Sequence, residues 1–155
     1  MTGDLPFVMR PAVPDDAPAI AAIVSAAYAK WVPVIGRKPL PMQVDYAKAV
    51  LEHDFDVVSG DGRLVGLIET MPRADHLWIE NLAVHPEAQG QGIGRLLLAR
   101  AEEKAKELGT FDLRLLTNGA FTANIALYLK YGYALDKQEE FMNGTTVYMS
   151  KKLTR

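Results

Sequence analysis

The chain has 155 residues, a formal net charge of −2 and no cysteine, with 49% hydrophobic and 23% charged residues. The length suits one domain, residues 1–155, with enough chain to bury a core unaided. The missing cysteines exclude a disulfide framework, a cysteine-ligated zinc site and a thiol nucleophile, and the charge excludes a basic footprint for duplex nucleic acid. The longest uncharged runs, Ala17–Ala29 and Leu115–Leu129, fall short of the ~18 residues of a membrane span. Asp4 stands where a signal peptide carries a base. A cytoplasmic domain with no nucleic-acid or membrane partner is expected.

Phe7–Ala12 reads as a first strand. Pro14-Asp15-Asp16 opens a helix that Asp15 can cap, with Ile20, Ile23, Val24, Ala27 and Tyr28 at helical spacing. Trp31–Pro41, broken by Pro33, Gly36 and Pro39, reads as a loop, and Met42–Leu51 as a weaker helix. Phe55–Ser59 and Leu64–Met71 flank Asp61-Gly62, a hairpin signal. His76–Val84 is a fourth strand. Gly92–Leu108 is a strong amphipathic helix ended by Gly109. Phe111–Leu116 is a strand, and Thr122–Tyr131 a helix ended by Gly132. Phe141–Asn143 and Thr145–Lys151 form a last hairpin around Asn143-Gly144. The order β-α-α-β-β-β-α-β-α-β-β is a mixed α/β (α+β) sheet rather than a strict βαβ repeat.

The stretch from Ala83 to Arg95 joins a strand to the long helix and holds Gly90, Gly92 and Gly94. Glycines there admit close backbone approach, and the helix N-terminus favours an anion such as a pyrophosphate. A Walker loop is excluded, because no Gly-Lys pair occurs. A dinucleotide fingerprint fails too: its third glycine falls on Leu97 or Arg95. Three serines without a G-x-S-x-G elbow argue against a serine hydrolase. His53, His76 and His85 show no metal spacing.

Gln89-x-x-Gly92-x-Gly94 resembles the Q/R-x-x-G-x-G/A signature of the GNAT superfamily of acetyl-CoA-dependent N-acetyltransferases. Leu82–Pro86 resembles that family's fourth strand entering the loop. Asn124–Tyr133 resembles its A-x-x-L-Y-x-K-x-G-F/Y segment, and Arg10-Pro11-Ala12 with Asp15-Asp16 its opening. The resemblance implies a mostly antiparallel central sheet splayed between strands four and five. It also implies acetyl-CoA as acyl donor, with backbone groups of Leu82, Ala83 and Val84 pairing with the pantetheine arm. Gln89, Gly90, Gln91, Gly92, Ile93, Gly94 and Arg95 would hold the pyrophosphate. Arg95 either adds charge there or solvates the helix.

The implied reaction is attack of an amine on a thioester. An alkyl amine has a pKa of ~10.4 and must lose a proton before it attacks. By the resemblance, Tyr128 is the candidate acid for the departing thiolate and the Leu82 N–H a candidate oxyanion donor. Asn124, Tyr128 and Tyr131 share one helical face. Asn124 either contacts the cofactor or caps the helix; the family's more usual asparagine position is Phe121 here. Glu80, on the strand parity of Trp78 and Leu82, is the candidate base, with an edge carboxylate the alternative. Tyr28, Trp31, Arg37, Met42 and Tyr46 are candidates for the acceptor pocket; Arg37 reads an acceptor carboxylate or is simply solvated. The acceptor is a small-molecule or protein amine. A non-catalytic acyl-CoA-sensing module is the alternative function, and a homodimer is allowed.

Overall fold

The computed structural model describes residues 7–155. Seven strands form one sheet: β1 (Phe7–Pro11), β2 (Asp54–Gly60), β3 (Arg63–Pro72), β4 (Leu77–Val84), β5 (Asp112–Asn118), β6 (Ala134–Phe141) and β7 (Gly144–Lys152). Their spatial order is β1-β2-β3-β4-β5-β7-β6. Every neighbouring pair is antiparallel except β4 and β5, which run parallel.

Helices α1 (Ala17–Tyr28), α2 (Val32–Ile35), α3 (Tyr46–Glu52), α4 (Ile93–Glu107) and α5 (Thr122–Lys130) lie between the strands. Both sheet faces are covered. One core joins Ile68, Leu77, Ile79 and Leu113 of the sheet to Leu97, Leu98 and Ala101 of α4. The other joins Val57, Leu67 and Ala83 to Ile20, Ile23 and Val24 of α1 and Tyr46 of α3. The apolar positions of α4 and α1 recur at helical spacing, so each helix presents a stripe to the sheet.

The first helix opens differently from expectation. Asp16, not Asp15, works at its entrance. It accepts from the Val13 N–H (2.8 Å) and takes the Arg10 guanidinium through two oxygens (2.8 and 2.9 Å). The Trp31–Pro41 loop contains the short α2, because Pro33 falls in a first turn, where proline costs no hydrogen bond. Met42 belongs to a 3₁₀ turn, and α3 starts only at Tyr46, capped by the Asp45 carboxylate on the N–H groups of Ala47 and Lys48.

By length and composition, Pro14–Ile35 is apolar enough to cross a membrane, with mean hydropathy 1.5 over its best window. Lys30 interrupts the segment, which is why its uncharged run is short. Its inward side packs on the sheet through Ile20, Ile23, Val24 and Tyr28.

The last hairpin is longer than its signal. Its first arm is Ala134–Phe141 rather than Phe141–Asn143, and Met142 and Asn143 form the turn with φ of 48° and 63°. All eight residues of β6 are exposed, so the strand has no apolar alternation to read.

Candidate active site

Strands β4 and β5 pair only through Leu77–Ile79 and Leu113–Leu115. Beyond them β4 stays on β3, with Leu82, Ala83 and Val84 opposite Ile68, Leu67 and Gly66, while β5 follows β7. The sheet therefore splits, and the β5-facing edge of Leu82–Val84 is unpaired. Unpaired backbone groups on a strand edge are a template for an extended ligand.

The glycine loop begins at the end of that edge. The Gln89 amide donates to the Val84 carbonyl (3.2 Å), and His85 Nδ1 accepts from the Glu87 N–H (3.1 Å). The first glutamine of the signature thus ties the loop to its strand. Gly90 and Gly92 have φ of 81° and 83°, with no atom within 4 Å of where a Cβ would stand. Gly92 is the N-cap of α4, whose first N–H groups have no partner within the helix.

A cavity of about 360 Å³ follows this edge and loop. Leu82, Ala83, Val84, Gln89, Gly90, Gly92, Ile93, Gly94, Arg95 and Asn124 line it; Gln91 and Tyr128 do not. Asn124 lies inside α5 and does not cap it. Lys30 and Lys130, whose roles sequence patterning did not single out, join Arg95 on the wall. They lie against the rings of Trp31 (4.9 Å) and Tyr131 (5.5 Å). An open glycine cradle, a free strand edge and three cations fit a long, polyanionic, amide-bearing ligand such as coenzyme A.

Tyr128 lies at the buried margin of the helical face that it shares with Asn124 and Tyr131. Those two flank Leu127 on the cavity wall, which puts Tyr128 on the core-ward side. Its ring lies 5.6 Å from that of Tyr133, and burial pushes its hydroxyl well up, so it keeps its proton. The hydroxyl makes no hydrogen bond among the described residues. Burial first, then the nearby Tyr128 hydroxyl, raise Tyr28 as well.

A second cavity, of about 480 Å³, lies between the splayed strands and the α1–α3 region. Tyr28, Arg37 and Tyr46 line it as expected, and Tyr28 also lines the first cavity. Trp31 and Met42 do not line it. Trp31 is buried and stacks on Phe121 at 5.1 Å; Met42 packs against the same core. Phe121, at the position where the family more usually has asparagine, is a cavity wall.

Glu80 corrects the parity argument. Asn81 faces Glu69 and Ile79 faces Thr70, so β4 has one extra residue, Glu80, in a bulge. Alternation fails across it: Ile79 and Leu82 share the α4 core, while Ala83 joins the other. Glu80 is exposed, accepts from Trp78 Nε1 (3.0 Å) and reaches the second cavity.

The residues that patterning missed are the polar ones that join Tyr28 and Tyr46 in this pocket: Asn81, Glu69 and His53. Tyr28 donates to Asn81 Oδ1 (2.8 Å), Asn81 Nδ2 to the Tyr46 hydroxyl (3.2 Å), and that hydroxyl to the Pro41 carbonyl (2.7 Å). Beside them Glu69, only 3% exposed, meets His53 across 2.6 Å. Burial raises the Glu69 carboxyl, opposed by the His53 contact. Among the described residues no three metal-ligating side chains gather.

Residues 21–133 match the model of the Acetyltransferase (GNAT) family. Among curated proteins, the uncharacterized protein YxbD of Bacillus subtilis is 30% identical over 83 residues, 54% of this chain; the chain spans about half (51%) of that relative's length. The PaiA N-acetyltransferase of Thermoplasma acidophilum, solved with coenzyme A, superposes with a TM-score of 0.84 at 19% identity, over 96% of this chain and 99% of that one. The ribosomal-protein-S18-alanine N-acetyltransferase of Escherichia coli does so with 0.73 at 20% identity, over 96% and 95%. Nourseothricin acetyltransferase gives 0.77 at 23% identity, over 97% and 100%. These likenesses establish the shared fold.

Proposed function

The chain belongs to the GNAT acetyltransferase family, and from that membership we propose that it transfers an acetyl group from acetyl-CoA to a primary amine by direct attack in a ternary complex. The observation that carries this reading is the wall shared by the two cavities. Tyr28 closes both the glycine-lined groove and the pocket between the splayed strands. A donor in one and an amine in the other would meet at that wall, as direct attack requires.

Acetyl-CoA supplies an acetyl group already activated as a thioester. The protein's part is binding, orientation and proton management. The free edge of Leu82–Val84 accepts the pantetheine amides, and the N–H groups following Gly92 take the pyrophosphate, with Lys30, Arg95 and Lys130 adding charge. The Leu82 N–H, on the strand edge that lines the groove, would meet the developing oxyanion. Tyr128, buried beside the Tyr28 wall that both cavities share, keeps its proton and is the donor assigned to the departing sulfur. Glu80, exposed at the pocket, draws in the ammonium form of the acceptor.

The acceptor pocket has apolar walls, among them Ile35, Leu40, Val44 and Phe121, with acids at Glu69 and Glu80. It suits a cationic amine with a compact apolar body, free or at a protein terminus. Of the neighbours by fold, one is named for an antibiotic and one for a ribosomal protein's alanine, so both kinds of acceptor belong in the test.

A panel of small amines and peptide termini, scored by release of free CoA thiol, tests the reading. Thiol release that depends on one amine class supports it. A thermal shift with acetyl-CoA but no release with any amine overturns it in favour of an acyl-CoA-sensing module.

A further inference from the structure

The acceptor pocket contains an acid–imidazole pair with the geometry of a proton relay. His53 stands where α3 meets β2, and Glu69 lies within β3. Both line the pocket. Nδ1 of His53 and Oε2 of Glu69 are 2.6 Å apart, and the side chains are 30% and 4% exposed.

This contact is the only hydrogen bond of the Glu69 carboxylate among the described residues. When Glu69 is ionised its carboxylate only accepts, and the bridging proton then belongs to Nδ1. A neutral ring protonated at Nδ1 keeps its lone pair on Nε2, and Nε2 has no partner among the described residues. The more exposed member of the pair thus offers a basic nitrogen while the buried acid holds the ring. Acyl-transfer sites that use an imidazole as base orient it in the same way.

The other polar groups of the pocket are less suited. The hydroxyls of Tyr28 (α1) and Tyr46 (α3) donate to Asn81 and Pro41 and are pushed up by burial. Asn81 is occupied by both tyrosines. Glu80 is exposed and bonded to Trp78, and Arg37 has no lone pair to offer.

We infer that His53 Nε2 is the general base that deprotonates the acceptor ammonium, with Glu69 as the positioning residue that fixes its tautomer. The inference rests on the acetyl-transfer reading. The ammonium gives one proton to Nε2, and the imidazolium formed is stabilised by the Glu69 carboxylate. The amine nitrogen then bonds to the acetyl carbon and the C–S bond breaks. The second proton lost from nitrogen balances the one Tyr128 delivers to sulfur, and the proton on His53 passes to solvent.

The test pairs kinetics with nitrogen NMR. In His53→Gln, kcat should fall by about 10²-fold or more at pH 7. The deficit should shrink towards pH ~10, where the amine deprotonates unaided, and the acetyl-CoA thermal shift should persist. Glu69→Gln should lose less, with Glu69→Asp recovering part of the loss. In ¹⁵N spectra of the free protein, His53 should be protonated on Nδ1 when neutral, a preference that Glu69→Gln abolishes. A His53→Gln pH–rate profile matching wild type overturns the inference. So does an Nε2–H tautomer in the wild-type protein, a readout that needs no acceptor. Failure of the wild type with every amine would instead sink acetyl transfer itself.

Discussion

The Tyr28 hydroxyl donates to Asn81 Oδ1 over 2.8 Å, joining α1 to β4 where the two cavities share a wall. The bond fixes a side chain that both ligands would touch. Asn81 is committed on its other side to Tyr46, so one buried amide holds two aromatic walls.

Replacing Asn81 with leucine should leave two buried hydroxyls short of a partner. A loss of about 1–3 kcal/mol is expected, by analogy with other buried polar groups left unsatisfied, read as a lower denaturation midpoint. The KM for the amine should rise more than that for acetyl-CoA. Equal rises would show that the network does not serve the acceptor pocket.

Gly66 lies on β3 opposite Val84, and a Cβ there would stand 2.8 Å from Ile93 Cγ2. Gly66→Ala should push on the first residue of α4. Overpacking of this kind costs about 1–3 kcal/mol. The affinity for acetyl-CoA should fall as well, although residue 66 does not line the groove; isothermal titration would measure it. Unchanged affinity would mean the loop does not depend on this close packing.

Acetyl-CoA should stabilise the folded chain by mass action, about 2.7 kcal/mol at a concentration 100 times the Kd. Tyr128→Phe should keep that shift while lowering kcat by about 10²-fold. A lost shift would mean that Tyr128 supports the groove rather than the chemistry.

Glu69 has a carboxyl raised above its ordinary value of 4.5, chiefly by burial. Between 4.5 and the raised value the folded chain binds more protons than the unfolded one, so this residue's contribution to stability falls as pH rises through that window. Glu69→Gln should flatten that part of the stability–pH curve, and urea midpoints at several pH values would reveal it. Asp16 and Asp112 have the opposite sign. The Arg10 bond is the largest influence holding Asp16 below its usual value. At Asp112 burial pushes upward, but the hydrogen bonds and charges of Arg114 and Lys152 together outweigh it. Both contributions are present above ~3.9 and fade as acid protonates them.

Glu80→Gln should raise the KM for a cationic amine modestly, an effect that added salt weakens. Its pH–rate profile should match that of wild type. A profile displaced in Glu80→Gln but not in His53→Gln would return the role of base to the bulge.

The groove was legible because its chemistry is local. Gln89, Gly90, Gly92 and Gly94 are a few residues apart, and the signals for a strand before them and a helix after them are strong. The acceptor side was only partly legible. His53 and Glu69 meet across 16 residues, and Tyr28 and Asn81 across 53, contacts that no periodicity announces. The Glu80 bulge broke the alternation on which a parity argument depends. Tyr128 shares its expected face with Asn124, but spacing alone does not tell the buried margin of that face from the cavity wall.

The bulge also has a consequence for how this chain tolerates insertions and deletions. Glu80 acts as a phase shifter: upstream, Ile79 faces α4, and downstream, Leu82 still does although three positions separate them. Removing that one residue would let Asn81 follow Ile79 directly, closing the bulge into a regular ladder with Leu82 and Ala83 on their present faces and opposite their present partners in β3. Substitution and deletion at position 80 both leave this frame intact; what a deletion takes away is the Glu80 carboxylate from the second cavity.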